Sequence, residues 1–150
     1  MAVLRDIPYG NFNFLVDLGD GNTEGAQAGF SEVSGLSMTV EVIEYRLGNM
    51  AESGAMKIPG RAHYGDVTLK RGIIGSLNLF QWIDQVRNGD IAARRTVTIS
   101  LLSEDRTAPV TTWKLRRAWP VRFAAAPLVA ASREIAIEEL VLAHERLELE

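Results

Sequence analysis

The 150-residue chain contains no cysteine. It therefore has no disulfide framework, no thiolate metal site and no cysteine nucleophile, which fits synthesis in the cytoplasm. Long hydrophobic runs are missing too. The N-terminal MAVLRDIPYG reaches Arg5 and Asp6 after a short apolar start, and the longest later run, Phe123 to Ala131, is far below a bilayer span. Neither a signal peptide nor a transmembrane helix is expected. A large excess of either sign of charge is missing: 16 basic residues against 19 acidic give a net charge of −3, which argues against a generally basic nucleic-acid surface. The sequence also lacks internal repeats, low-complexity tracts and dividing linkers. Residues 1–150 then make one domain, long enough to bury about 70% of the surface that the unfolded chain exposes.

What is present is alternation. Phe12, Phe14, Val16 and Leu18 alternate with Asn11, Asn13, Leu15 and Asp17, the period of a strand with one apolar face, and Asp20-Gly21 offers a hairpin turn. Leu36 to Tyr45 continues in extended form, with Met38, Val40 and Val42 on one face and Thr39, Glu41, Ile43 and Tyr45 on the other. Leu47 to Ala62, interrupted by Gly48, Gly54, Pro59 and Gly60, has little periodicity and reads as a long loop, a candidate interaction arm. Tyr64 to Arg71 resumes alternation, with Val67 and Leu69 opposite Asp66, Thr68 and Lys70. A helix is expected from about Ser76 to Gly89, with Phe80, Trp82 and Ile83 among its apolar residues. Phe80 and Ile83 are expected to pack on the sheet as core residues. Thr96 to Ser103, the turn Ser103 to Arg106 and a run through Trp119 read as a β-hairpin. Glu134 to Glu148 is ambiguous: composition favours a helix, whereas Ile135/Ile137 and Leu140/Leu142 fit strand segments separated by a bulge.

Chemistry finds little purchase on this pattern. The two histidines, His63 and His144, have no ligand spacing or nucleophile context, and read as a loop histidine and a hydrogen-bonded strand-end histidine. GAMKIPG at Gly54 to Gly60 lacks the GK[ST] ending of a phosphate loop. Asp17, Asp20 and Glu24 lack the regular ligand alternation of a calcium loop. Glu138 and Glu139 point to opposite faces of a strand, which leaves exposed charge or ion pairing rather than paired acids. Lys114, Arg116 and Arg117 beside Trp113 and Trp119 imitate a nucleic-acid surface, but strand parity makes core aromatics next to a charged face the better reading. No catalytic residue, metal or cofactor is expected.

Ordered motifs across the chain resemble a known family. They are AGFSEVSGLSMTVEVIEYR at Ala28 to Arg46, KIPG at Lys57 to Gly60, YGDVTLKRG at Tyr64 to Gly72 and LFQWIDQV at Leu79 to Val86. They continue with WKLRRAWPV at Trp113 to Val121 and IAIEELVLAHERLE at Ile135 to Glu148. Together they resemble the inner tail-tube proteins of contractile phage tails and related injection systems. The resemblance implies a mainly β barrel or sandwich with one main helix and an extended loop, and a final strand where composition favours a helix. It also implies hexameric rings stacked into a hollow conduit, partnered by a contractile sheath, baseplate or spike and tube-terminating proteins, with cargo in the lumen and no enzymatic activity. On this reading Met50, Met56, Lys57 and Ile58 of the long loop make inter-subunit contacts. Thr39, Glu41, Asp66, Thr68 and Lys70, the more polar faces of two strand runs, line the lumen. A monomeric β-barrel that binds a small ligand is the alternative from another class.

Overall fold

The computed structural model describes residues 2–150. Its strands are β1 (Phe14–Asp17), β2 (Glu32–Ser34), β3 (Met38–Tyr45), β4 (Met56–Tyr64), β5 (Val67–Gly72), β6 (Arg95–Leu102), β7 (Pro109–Ala125), β8 (Ile137–Ala143) and β9 (Arg146–Leu149), and helix α1 spans Asn78–Arg87. The 17 residues of β7 organise the rest. Its first half pairs with β6 on one edge and β9 on the other, and its second half pairs with β8. At the changeover Arg95 faces Ala118 while Val97 faces Leu115, so β7 carries an extra residue, and Arg117 takes a φ of 54°. This bulge turns one strand between two sheets, β1-β6-β7-β9 and β2-β5-β8-β7.

The core lies between the two halves. Val16, Val97, Ile99 and Leu115 from the first sheet meet Val67, Leu69, Leu140 and Leu142 from the second, and Leu79 and Trp82 of α1 join the same cluster. Period-two alternation puts them there: β5 buries Val67, Leu69 and Arg71 while Thr68, Lys70 and Gly72 point away from the core. The sequence reading changes here at Asp20-Gly21 and at Phe80. Asp20-Gly21 is not a hairpin turn, because β1 pairs with β6 and β2 with β5; the Asp17 carboxylate instead accepts from the N–H groups of Gly19 at 2.8 Å and Gly21 at 3.0 Å. The C-terminal run is strand, as the family resemblance implies, with β8 and β9 broken at His144-Glu145, since β7 supplies a ladder that outweighs helix propensity. Phe80 is not a core residue.

Helix α1 shows why. Leu79 and Trp82 are its buried residues, and the Trp82 Nε1–H donates to the Ala93 carbonyl at 2.6 Å. Phe80 lies about 100° around the helix from Leu79, remains 42% exposed, and meets Phe123 of β7 edge-on with ring centroids 6.1 Å apart. Ile83 is half-buried beside it. Gly89 closes the helix with φ 84°, as expected, but no side chain caps the start, where Leu77 occupies the N-cap position. Leu79→Ala should therefore lower stability by about 2–5 kcal/mol, whereas Phe80→Ala should cost less than about 2 kcal/mol, as urea unfolding of the two variants would show.

One core position of β5 holds a charge. Arg71 has no exposed side-chain surface and stands directly across from Glu138, which is 8% exposed. Its Nε donates to Glu138 Oε1 at 2.6 Å, Nη1 to the Gln27 carbonyl at 2.7 Å, and Nη2 to Asn78 Oδ1 at 2.6 Å. The guanidinium thus ties β5 to β8, to the 3-10 turn Ala26–Ala28 and to the first residue of α1. Desolvating both charges is offset by their mutual attraction and by the further acceptors that the guanidinium finds. Arg71→Met should cost about 3–5 kcal/mol by leaving the Glu138 carboxylate buried alone, and adding Glu138→Leu should recover most of that loss in the same unfolding assay.

Candidate assembly surface

β3 and β4 form a two-stranded sheet of their own, with no strand of the main sheet paired to either. Every residue of β3 is exposed, and so is all of β4 except Gly60 and Tyr64, which are half-buried. An isolated ribbon of two strands is marginal in water, and this one is apolar in an unusual pattern. The register sets Thr39 opposite His63, Val40 opposite Ala62, Val42 opposite Pro59, Ile43 opposite Ile58 and Tyr45 opposite Met56. Near the root, one face carries Met38, Val40, Val42 and Ala62 and the other carries Thr39, Glu41 and His63. Near the tip the polarity reverses: Ile43, Tyr45, Met56 and Ile58 share the second face, while Glu44 and Lys57 occupy the first. The hairpin is amphipathic in opposite senses at its two halves.

This placement corrects the loop boundary. Met56, Lys57 and Ile58 stand in β4, and the connection is residues 46–55, where Met50 is half-buried and Arg46 Nη2 donates to the carbonyls of Met50 at 3.2 Å and Glu52 at 3.1 Å. Pro59 and Gly60 do not break the strand because β4 carries a bulge between the positions facing Val42 and Val40. Thr39 and Glu41 lie on the hairpin, where Glu41 pairs with His63. Asp66 is exposed in the two-residue link to β5, and Thr68 and Lys70 sit on the face of β5 away from the core, with Lys70 Nζ 3.1 Å from Glu32 Oε2. Among the described residues, no hydrogen bond or ion pair joins the hairpin pair to the β5 pair.

The hairpin root is built on close backbone approach. A Cβ on Gly35, whose φ is 88°, would lie 2.1 Å from the Asp66 carbonyl oxygen, and one on Gly65 would lie 2.2 Å from Ser37 Oγ. Gly65 N–H donates to the Ser37 carbonyl at 3.2 Å. His144, between β8 and β9, donates from Nε2 to the Gly65 carbonyl at 2.9 Å and packs against Tyr64, leaving Nδ1 buried without a partner. The strand-end histidine thus has a definite task, fixing the hairpin to the main sheet.

Two edges of the second sheet are also unpaired among the described residues: the outer edge of β2, and that of β7 beyond Trp119, where β6 has ended. The basic run on β7 is answered within the chain, by Lys114–Glu150 at 2.8 Å, Arg116–Glu148 at 2.9 Å and Arg117–Glu145 at 2.8 Å. Hydrogen bonding to Arg116 holds Glu148 below the usual carboxylate range, and Lys114 does the same for Glu150. Such self-neutralised charges make a poor phosphate track. Among the described residues no group of three His, Asp or Glu side chains could hold a metal ion, and no helix is long and apolar enough to cross a membrane.

The family model for T4-like virus tail tube protein gp19 matches residues 10–148. The chain belongs to the tail tube protein family. It is a structural tube subunit, and its mainly β fold with one helix is the family's. A chain in an extracellular contractile injection system, the PVC sheath–tube complex in its extended state, is 30% identical, with 95% of this chain and 91% of that one covered at a TM-score of 0.81. A chain of the anti-feeding prophage cap is 26% identical over 100% of this chain and 95% of that one, at a TM-score of 0.83. Hcp1 from Flavobacterium johnsoniae, 14% identical with 91% and 93% covered at a TM-score of 0.55, shares the fold alone. No curated protein sequence matches the chain. Gly35→Ala should lower the thermal midpoint, by more than about 1 kcal/mol of stability, because the root cannot accept a Cβ at positive φ.

Proposed function

We propose that this chain is the inner-tube subunit of a contractile injection system or contractile phage tail, one tube domain that closes into hexameric rings and stacks into a hollow conduit for cargo. The carrying observation is a hairpin with apolar residues exposed on both faces, beside a sheet with two unpaired edges. Joining the β2 edge of one copy to the β7 edge of the next satisfies backbone groups that a lone subunit leaves open, and repetition of such a head-to-tail contact closes a ring. The structures similar to this chain belong to a sheath–tube complex, a tube-terminating cap and a six-fold symmetrised baseplate, which supports sheath, terminator and baseplate proteins as partners. The chain works by shape, with no reactive centre, made in the cytoplasm and housed in the particle.

In this assembly the face of the second sheet turned away from the core lines the channel, with Thr68 and Lys70 of β5, and Thr39, Glu41 and Asp66 extend it. Met50, Met56, Lys57 and Ile58 belong to the arm that reaches a neighbour. Negative-stain microscopy with co-purification of a sheath protein tests the reading: rings or tubes support it, and a strictly monomeric particle with a saturable small ligand would sink it. Removing part of the 46–55 connection should shorten or abolish tubes while leaving the thermal midpoint of the subunit nearly unchanged. Cysteine at Glu41, the only thiol in the chain, should react in intact tubes with a small maleimide but not with one too large for the channel; equal labelling by both would place Glu41 outside.

A further inference from the structure

Arg95 opens β6 and shares the parity of Val97 and Ile99, so its side chain leaves the strand on the core side, just beyond the apolar layers. There it borders a cavity of about 400 Å³ between α1 and the end of β1. The guanidinium carbon lies 4.6 Å from the centroid of the Trp82 ring, a cation–π stack on an indole that is itself fixed by its hydrogen bond to the Ala93 carbonyl. The stem is held as well. A Cβ on Gly19 would come within 3.0 Å of the Arg95 Cβ, so the backbone at Gly19 packs directly on it.

Nothing in the chain answers this charge. Among the described arginines, Arg61, Arg95 and Arg133 alone make neither a side-chain hydrogen bond nor an ion pair; Arg61 and Arg133 are exposed, and only Arg95 is half-buried. The uncharged walls supply donors too. Asn78, Gln81 and Gln85, three and four residues apart, share the face of α1 that borders the cavity. Asn78 Oδ1 is taken by Arg71 Nη2 and Ser76 Oγ, which leaves its N–H groups, and the side-chain amides of Gln81 and Gln85 make no hydrogen bond among the described residues. Asp20 also lines the cavity; its carboxylate accepts from the Asn22 N–H at 3.0 Å and makes no ion pair with Arg95. A planar fork with one flat side covered and its N–H edges open is preorganised for a carboxylate, which it binds through two parallel hydrogen bonds. A guest with a second negative charge at the same place, such as phosphate, would meet the Asp20 carboxylate.

We propose that this cavity is a binding site for a single carboxylate, held by Arg95 and by the amides of Asn78, Gln81 and Gln85. Two sources carry that group, a small free acid and an Asp or Glu side chain of another copy of the chain, and the test separates them. Its first arm is thermal unfolding of the purified chain in N-acetylglutamate N-methylamide, with the glutamine analogue, sodium chloride and inorganic phosphate at matched ionic strength as controls. At about five times the Kd the acid should raise the midpoint by about 2–4 °C, and neither the controls nor the Arg95→Gln variant should respond. An equal response to phosphate, or to the acid in Arg95→Gln, would overturn the site. In the second arm Arg95→Lys places an amine at this position, and a water-soluble carbodiimide joins it to a carboxylate in contact, in the full chain as it assembles. A link to an Asp or Glu of another copy assigns the carboxylate to a neighbour, and a response to the acid without any link assigns it to a free molecule; both support the site. A link to Asp20 of the same chain, or neither response nor link, would overturn it.

Discussion

A guanidinium with no solvent exposure constrains everything around it. Arg71 must find acceptors in every direction its fork points, and it finds them on β8, on the turn at Ala26–Ala28 and at the start of α1. Those elements are otherwise joined by apolar packing, which tolerates sliding; a charged fork with fixed angles does not. The pairing of Arg71 with Glu138 also fixes the register of β5 on β8, because a slip of β5 by one residue would turn Arg71 to the other face and strand it from Glu138. From that registered pair the hairpin departs at one end, and at the other, past Gly72, the chain exposes Ile73, Ile74 and Leu77. The placement of both exposed apolar surfaces therefore depends on one buried ion pair.

Much of this architecture was legible in the chain. Alternation located β1, β3, β5 and β6, and the three-to-four spacing with Gly89 located α1. The misreadings have particular causes. Pro59 and Gly60 read as breakers because the bulge that accommodates them is a property of the pairing with β3, not of the β4 segment. Glu134 to Glu148 favours a helix by composition and reads as a strand only through the family resemblance, because the hydrogen bonds that β7 offers are ones no local preference reports. Phe80 belongs to an apolar stripe wider than the core beneath it, and the spacing cannot say whether Leu79 or Phe80 points inward. Arg71 does share parity with Val67 and Leu69, a signal of burial, but its partner lies 67 residues away and no sequence period connects them.

The candidate assembly residues were legible as a region rather than as positions. Ile43 and Tyr45 share the parity of Thr39 and Glu41, a contradiction if one face of the ribbon is polar throughout. The contradiction dissolves once the hairpin has two halves with opposite apolar faces. A ribbon of this kind buries the apolar residues of both halves only where it passes between two surfaces. A monomeric ligand-binding barrel has no use for such an element.

In the proposed assembly, a ribbon whose apolar faces are covered by its neighbours also shapes the kinetics of growth. The first copies to meet must order their hairpins before the surfaces that cover both faces exist, so early contacts are weak and short-lived. Once a ring has formed, each arriving subunit meets a prepared seat and loses less freedom for the same burial. Polymerisation of such a subunit starts slowly and extends quickly. A cell can then hold it as a reserve of unassembled protein until a template supplies the first ring.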